Sequence, residues 1–369
     1  MTALERQLYQ IVADFRMKRM SENKKWLVFF GVDVGCVGLN TGQCRVRLYG
    51  KDFRLISGTR FRRRWARLIE SAQSEFLGAE PPRLLIIATA EGADGPTAFS
   101  SVERAFETLR GAIELQLSHG AFRHSSHVAA SGAFPPADWM IAVRPGTKPL
   151  VVGLVNPDTT HMGRSRFVGT LTSKAVELGT RVFDFLREPP NPDLVDATIG
   201  TCLRLYAQAM DQVFPYAQFL GLWQLAEALC GVKPGQTRGD PLPLRLAWFQ
   251  TRLENFSPFA SGECISYLLR LRHDMVHKGT LFEIDQEDVN MLKYYCEIAI
   301  CVWLKLRKKL PTKKHLEAFY DAIGRPPDDW DTCVEVATML KEMRALDQAP
   351  PNSPKQGKPV APEGTNEKD

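Results

Sequence analysis

Residues 268–279, LLRLRHDMVHKG, decide how the second half of this chain folds. An apolar helical run ends there in a group of Arg and His residues, and Gly279 follows at the position where a helix would stop. Two of the chain's seven histidines lie in this stretch, next to cations and a carboxylate. The stretch therefore predicts the end of an apolar helix that carries a cluster of chemically active side chains.

Helix geometry decides which of these groups can act together. At about 100° per residue, His273 and His277 lie roughly 40° apart on one helix face, whereas Arg272 and His277 lie about 140° apart. Two histidines on one face are the geometry of a metal site, and with Asp274 the run is close to the His-Glu-x-x-His of zinc peptidases. Arg272 and His277 cannot converge on one small atom unless the helix frays at residues 278–279 or a second subunit contributes its own copy. Such a pair can instead straddle a larger anion such as a phosphodiester.

The motif of Arg272, a polar residue, three further residues and His277 resembles the signature of HEPN domains, in particular the Apea-like branch. Residues 222–229, LWQLAEAL, resemble the helix of that branch in which an acidic residue precedes Ala-Leu. The resemblance covers roughly residues 193–310 and none of the first half. The residue after the Arg is often Asn in such motifs, and here it is His273.

This resemblance implies metal-independent cleavage of RNA, in which the RNA's own 2′-hydroxyl attacks the adjacent phosphate and no cofactor takes part. His277 would carry the proton, since imidazole has an ordinary pKa of about 6.5 and such catalysis is typically worth about 10² to 10⁴-fold. Arg272 would bind the phosphate and stabilise the charge of the transition state. His273 is a candidate second acid or base, or an RNA contact. The family also implies a homodimer whose interface carries the site.

The residues around this motif have supporting roles or none. Glu227 would orient Arg272 or His277, which is an expectation from the resemblance. Lys278 is a candidate contact to the RNA backbone, Asp274 is expected to be a solvated or capping acid, and Tyr267 is expected to serve packing. The alternative for His277 is a helix-end histidine that complements the helix dipole without any function.

Composition places the chain among ordinary globular proteins. Its 369 residues, 44% of them apolar, are enough for two domains with real cores. The eight cysteines form no C-x-x-C pair, which is typical of reduced thiols in a cytoplasmic protein. No secretory signal is visible, and the most apolar runs are too short to span a bilayer, so no membrane association is expected.

The net charge of +5 is small but uneven. Closely spaced arginines near residue 60 are the usual electrostatic footprint of a nucleic-acid or target-sensing surface, although a solvated helix face is the alternative. The candidate RNA-binding arginines are Arg60, Arg62, Arg63, Arg64 and Arg67.

The first half predicts a mixed α/β domain whose fold the sequence does not name. Helices are expected over residues 3–20, 61–77, from 101, and 167–186, the third capped by Ser100 with Glu103. Strands are expected at 26–35, 44–48, 83–90, 140–143 and 149–155, the first two forming a hairpin. The Gly-bearing loop 91–96 favours a simple connection over a phosphate site, because it lacks a Gly-Lys-Ser/Thr ending. Metal binding by His119, His124 and His127 is disfavoured, because acidic or Cys partners are missing.

The clearest boundary is Glu188–Asp193, where three prolines in four positions stop both helix and sheet. Helices are predicted beyond it over 194–213, 216–230, 242–254, 261–277, 285–310 and 313–323, with a last one near 330–345. The sequence therefore predicts an α+β chain with three parts. Residues 1–188 would form a mixed α/β domain with a sensing or regulatory role, residues 189–345 an all-α helical bundle of HEPN type, and residues 346–369 a disordered tail.

Three functions are open on these grounds. The leading one is a cytoplasmic endoribonuclease, a bacterial defence or toxin-type effector whose N-terminal domain binds a protein or nucleic-acid trigger. The second is a catalytically inactive HEPN module that binds RNA or a protein partner. The third is a zinc hydrolase using His273 and His277 with Glu297 as third ligand. Asp274 is one methylene shorter than the base of such enzymes, and the adjacent Arg would repel a dication.

Overall fold

The computed structural model describes residues 25–34, 36–37, 39, 44–57, 83–122, 134–144, 150–155, 171–232, 242–251, 258–278, 284–323, 334 and 338. The predicted helices over 3–20 and 61–77 lie outside the described residues, as does the predicted tail 346–369. Where it is described, the chain is α+β: an antiparallel sheet is built first, and helices make up most of the rest. The predicted fold class is confirmed.

Among the described residues, six strands form the main sheet, in the order β3-β4-β5-β1-β6-β7. Their bounds are β1 Lys25–Val32, β3 Arg45–Leu48, β4 Lys51–Ser57, β5 Leu84–Glu91, β6 Trp139–Arg144 and β7 Leu150–Val155. A separate parallel pair joins β2, Cys36–Val37, to β8, Leu171–Thr172. The strands predicted at 83–90, 140–143 and 149–155 are thus confirmed, and every pairing within the main sheet is antiparallel.

The predicted hairpin between the first two strands is wrong. Strand β1 pairs with β5 and β6, and β3 pairs with β4 instead. Tyr49 and Gly50 connect β3 to β4 with φ of 49° and 71°, and positive φ at both central residues is what a tight two-residue hairpin turn needs. Strand β1 is buried at every position after Lys25, which marks a central strand with both faces covered rather than one arm of a hairpin.

Helix α1, Gly95–Phe122, begins six residues earlier than predicted. Asp94 caps it, because its side-chain Oδ1 accepts from the backbone N–H of Thr97 at 2.9 Å and its carbonyl accepts from Ala98 at 3.0 Å. The predicted cap of Ser100 with Glu103 is wrong, since both residues lie inside the helix. In the Gly-bearing loop predicted over 91–96, residues 94–96 are therefore the cap and the start of α1.

The predicted helix over 167–186 is replaced by shorter elements. Residues 167–170 lie outside the described residues, and Leu171 pairs with Cys36 in the small parallel sheet. Helix α2, Ser173–Val182, follows, and a 3₁₀ turn covers Asp184–Leu186. Strand pairing overrides helical periodicity at the start of this segment.

The helical part contains α3 Val195–Asp211, α4 Pro215–Leu229, α5 Leu242–Thr251, α6 Pro258–Lys278, α7 Gln286–Leu306 and α8 Lys313–Ile323. All six predicted helices are confirmed to within a few residues at the described ends. Their starts have local causes: Pro215 occupies the first turn of α4, and Asp285 forms a capping box with Asp288 at the start of α7.

A buried polar network ties α3 to α7. Tyr206 donates to Glu297 at 2.5 Å, and the Lys293 amine lies 2.7 Å from the same carboxylate. All three side chains are buried among apolar neighbours. A charge pair in such surroundings is tolerated only when its remaining hydrogen-bonding groups are satisfied, and the tyrosine hydroxyl supplies one of those bonds.

Arg110 joins the sheet layer to the helical part. Its guanidinium is buried and lies 2.6 Å from both Glu107 on α1 and Asp211 at the end of α3. Burial raises the pKa of Glu107, against the opposing pull of Arg110. The described residues up to Tyr320 form one compact unit. The boundary between residues 188 and 189 stays a prediction.

Among the described residues, no helix combines the length and the apolar character that crossing a bilayer would demand.

Substitution of Gly111 by Ala should destabilise the protein. Gly111 faces the backbone of α3 so closely that an added Cβ would overlap the carbonyl oxygen of Leu203. Forcing the two helices apart should lower the free energy of unfolding by about 1–3 kcal/mol. Gly262→Ala is the matched control, because nothing lies within 4 Å of a Cβ there. It should leave stability unchanged or raise it by up to about 1 kcal/mol. Urea unfolding of both variants measures the difference, and equal effects would contradict the described α1–α3 contact.

Candidate functional site

Helix α6 carries the predicted site and runs without a break to Lys278. Its buried face is made by Ile265, Leu268 and Met275, which are at most 4% exposed. His273 and His277 lie on the exposed side. The apolar face packs this helix against the others, and the side that carries the two histidines is open to a ligand.

The two histidines lie side by side. Their ring centroids are 4.4 Å apart and the rings are inclined by 44°. The prediction that His273 and His277 share one face of a helix is therefore confirmed. Two exposed imidazoles this close can both reach the atoms of a single phosphate group.

Arg272 lies beside Glu227. The family resemblance implied that Glu227 would orient either Arg272 or His277, and the structure places it next to Arg272. The guanidinium Nη2 is 3.8 Å from Glu227 Oε1, and both side chains are about one-third exposed. Glu227 Oε1 also accepts a hydrogen bond of 2.8 Å from the indole N–H of Trp223. The carboxylate is thus fixed on α4, and the ion pair is long enough to leave the guanidinium with donors for another anion.

Asp274 and Lys278 pair with each other. The Lys278 amine lies 2.8 Å from Asp274 Oδ1 across one helical turn. The hydrogen bond from Lys278 lowers the pKa of the Asp274 carboxyl. Asp274 is therefore an ionised surface acid, as predicted, and Lys278 would have to leave it before contacting an RNA phosphate.

Tyr267 lies between one and two turns before Arg272 and anchors α6 to α7. It shares a hydrogen bond with Asp288, whose pKa is raised by burial. The same Asp288 closes the capping box of α7. Tyr267 thus positions α6, which agrees with the prediction that this residue serves packing.

The end of α4 fixes the position of Glu227 along the helix axis. Gly231 has a φ of +61°, and Val232 N–H donates to the Glu227 carbonyl at 3.0 Å while Gly231 N–H donates to Ala228 at 3.4 Å. This is the Schellman arrangement, which ends a helix at a left-handed residue. A Cβ at position 231 would overlap the ring of Tyr320, so only glycine fits.

Side chains from three other helices cover the carbonyl groups that α4 leaves free. Trp303 on α7 donates to the Leu229 carbonyl at 3.0 Å, and the Tyr320 hydroxyl on α8 donates to the same oxygen. Arg245 on α5 donates to the Cys230 carbonyl at 2.6 Å, with its guanidinium 4.6 Å from the Tyr320 ring centre. The sequence patterns did not point to Arg245. In the sequence, only Gly231 indicated where α4 ends.

Glu297 does not belong to this site. It is buried in the core and engaged by Lys293 and Tyr206, whereas His273 and His277 are exposed. Its predicted role as a third zinc ligand is wrong. Within the described ranges, no three His, Cys, Asp or Glu side chains converge as metal ligands would.

The other candidate residues fall in segments beyond the described ones. The arginines near residue 60, namely Arg60, Arg62, Arg63, Arg64 and Arg67, lie outside the described residues. So do His124 and His127, and for His119 the structure describes the backbone of α1 but no side chain.

No protein-family model, curated protein or solved structure matches this chain. The resemblance to HEPN domains therefore depends on residues 222–229 and 272–277 and on the order of the helices around them.

Replacing Arg245 by Met should destabilise the helical part and loosen the end of α4. The substitution removes a charged donor from the buried Cys230 carbonyl, and an unsatisfied buried acceptor costs about 1–3 kcal/mol. Arg270→Met is the matched control, because Arg270 lies on the exposed side of α6 and its removal should stay within about 0.5 kcal/mol. Denaturant unfolding gives both values. A neutral Arg245→Met would show that α4 ends independently of α5.

Proposed function

We propose that this chain is a metal-independent endoribonuclease of HEPN type. The observation that carries the proposal is the exposed end of α6. There the imidazoles of His273 and His277 lie 4.4 Å apart, and Arg272, the residue before His273, has a partly exposed guanidinium. A proton donor, a proton acceptor and a fixed cation are the groups that cleavage of a ribose phosphodiester by its own 2′-hydroxyl requires.

The proposed reaction is an internal transesterification. One imidazole, His277 or His273, takes the proton from the 2′-hydroxyl as its oxygen attacks the phosphorus. Arg272 stabilises the extra negative charge on the phosphate oxygens, for which its planar donor fork is suited. The other imidazole gives a proton to the departing 5′-oxygen. The products are a 2′,3′-cyclic phosphate and a free 5′-hydroxyl, and no group on the protein is consumed.

A homodimer is part of the proposal. In the regular helix α6, Arg272 and His277 diverge by about 140°, so a small group cannot contact both from one copy. A second copy would place its own Arg272 opposite the histidines of the first. Val276 lies between these residues in sequence and is 51% exposed, so an apolar side chain is available for contact with a second copy. The proposed setting is a cytoplasmic defence or toxin-type effector, regulated through its N-terminal part.

A second candidate function is an inactive HEPN module that binds RNA or a protein. The ion pair of Arg272 with Glu227 favours it, because part of the guanidinium charge is already neutralised in the free protein. The zinc hydrolase is not favoured, since its third ligand lies in the helical core.

Cleavage of labelled RNA in EDTA tests the proposal. The wild-type protein should cleave, the rate of His277→Ala should fall by about 10² to 10⁴-fold, and that of Arg272→Ala by about 10² to 10³-fold. Arg181→Ala, on the exposed side of α2, is the control and should retain full activity. A mixture of the two inactive variants should regain activity if a dimer shares the site.

Each other outcome contradicts the proposal in a different way. RNA binding without cleavage would establish the inactive module. Hydrolysis that disappears in EDTA and returns with zinc would establish a metal enzyme. An equal decrease in rate for Arg181→Ala and Arg272→Ala would assign Arg272 a general electrostatic role only.

A further inference from the structure

A dense group of cations lies where α7 ends and α8 begins. Residues 298–316 contain no acidic residue at all. We name the exposed basic residues of this segment the basic corner: Lys305, Lys308, Lys309, Lys313, Lys314 and His315. None of the five lysine amines is paired with a carboxylate among the residues that the structure describes.

The backbone that presents the basic corner is fixed. The Pro311 carbonyl accepts from Val195 N–H at 3.0 Å, and Lys313 N–H donates to the Asp193 carbonyl at 2.9 Å. Arg307, within the same turn, pairs with Asp196 at 3.2 Å and stacks 3.7 Å from the centre of the Phe185 ring. Arg307 is thus structural, and the lysines around it are held on an ordered turn with their charges free.

The helix dipoles account for only three of these six basic residues. Lys305, Lys308 and Lys309 lie at or just beyond the carboxyl end of α7, where cations are favourable. Lys313, Lys314 and His315 occupy the first turn of α8, at the positive end of its dipole, and no acid accompanies them. Lys313 and Lys314 oppose the dipole of α8, and an anion bound beside them would offset this unfavourable charge.

Arg272 contacts one of two parallel helices near its carboxyl end, and the basic corner lies at the carboxyl end of the other. Helices α4 and α7 run parallel, because Cys296 Sγ donates to the Leu222 carbonyl and Trp303 donates to the Leu229 carbonyl seven residues later on both helices. Glu227, the partner of Arg272, lies in the last turn of α4. The basic corner begins in the last turn of α7.

We propose that the basic corner binds the phosphate backbone of single-stranded RNA and delivers it to the histidine pair on α6. This inference rests on the proposed ribonuclease function, because that function is the reason for RNA to reach the histidine pair. RNA is favoured over an anionic membrane because none of the large exposed apolar side chains among the described residues lies in 305–316. Without such side chains, nothing at this corner would insert among lipid headgroups.

RNA binding by full-length protein tests the inference. Fluorescence anisotropy with labelled single-stranded RNA should be measured over a salt series in EDTA, with His277→Ala as the background to prevent cleavage. Lys308→Ala/Lys309→Ala and Lys313→Ala/Lys314→Ala should each weaken binding at least about tenfold at about 50 mM salt, and each should reduce the salt slope by about 0.7 for every phosphate that is no longer neutralised. Lys174→Ala/Arg181→Ala on α2 removes two exposed cations elsewhere and should change neither quantity.

Stability separates binding from folding in this test. Lys313→Ala/Lys314→Ala removes cations that oppose the α8 dipole, so its thermal unfolding midpoint should equal or exceed that of the parent. Weak RNA binding by a variant at least as stable as the parent supports the inference.

Unchanged RNA binding in both lysine pairs would overturn the inference. Weaker binding to phosphatidylserine vesicles with unchanged RNA binding would overturn it in favour of a membrane surface. Lysine-dependent RNA binding without cleavage by the wild type would support the basic corner and refute only the ribonuclease. Cleavage with lysine-independent binding would refute only the basic corner.

Discussion

The end of helix α4 is the constraint on which the rest of the helical part depends. A helix leaves its last carbonyl groups without partners inside the helix, and here they are buried. Trp303, Tyr320 and Arg245 satisfy the carbonyls of Leu229 and Cys230 from three different helices. Because an unpaired buried carbonyl would be costly, these hydrogen bonds fix α5, α7 and α8 around one point.

The candidate site is built outward from that point. Glu227 lies within the last turn of α4, its carboxylate is oriented by Trp223, and Arg272 on α6 lies against it. The exposed side of α6 then carries the two histidines. The polar groups of the site therefore stand on a packed scaffold, which holds their positions without closing them off from solvent.

Much of the helical part could be predicted because its causes are local. Apolar periodicity marks the helices, and spacing alone predicts that His273 and His277 share a face. Interactions between distant parts of the chain could not be predicted in this way. Arg245 meets a carbonyl 15 residues away, and Tyr206 meets a carboxylate 91 residues away. The wrong hairpin has the same origin, because the partners of β1 are distant in sequence and only its fully apolar character indicates a central strand.

The proposed reaction at the end of α6 requires the 2′-hydroxyl of RNA as its nucleophile. A DNA strand that contains a single ribonucleotide tests this most directly, because only one position in it can undergo internal transesterification. We expect cleavage solely on the 3′ side of that ribonucleotide, in EDTA, leaving a 2′,3′-cyclic phosphate that mass spectrometry identifies. Cleavage at deoxynucleotide positions, or a product that carries a 5′-phosphate, would contradict it.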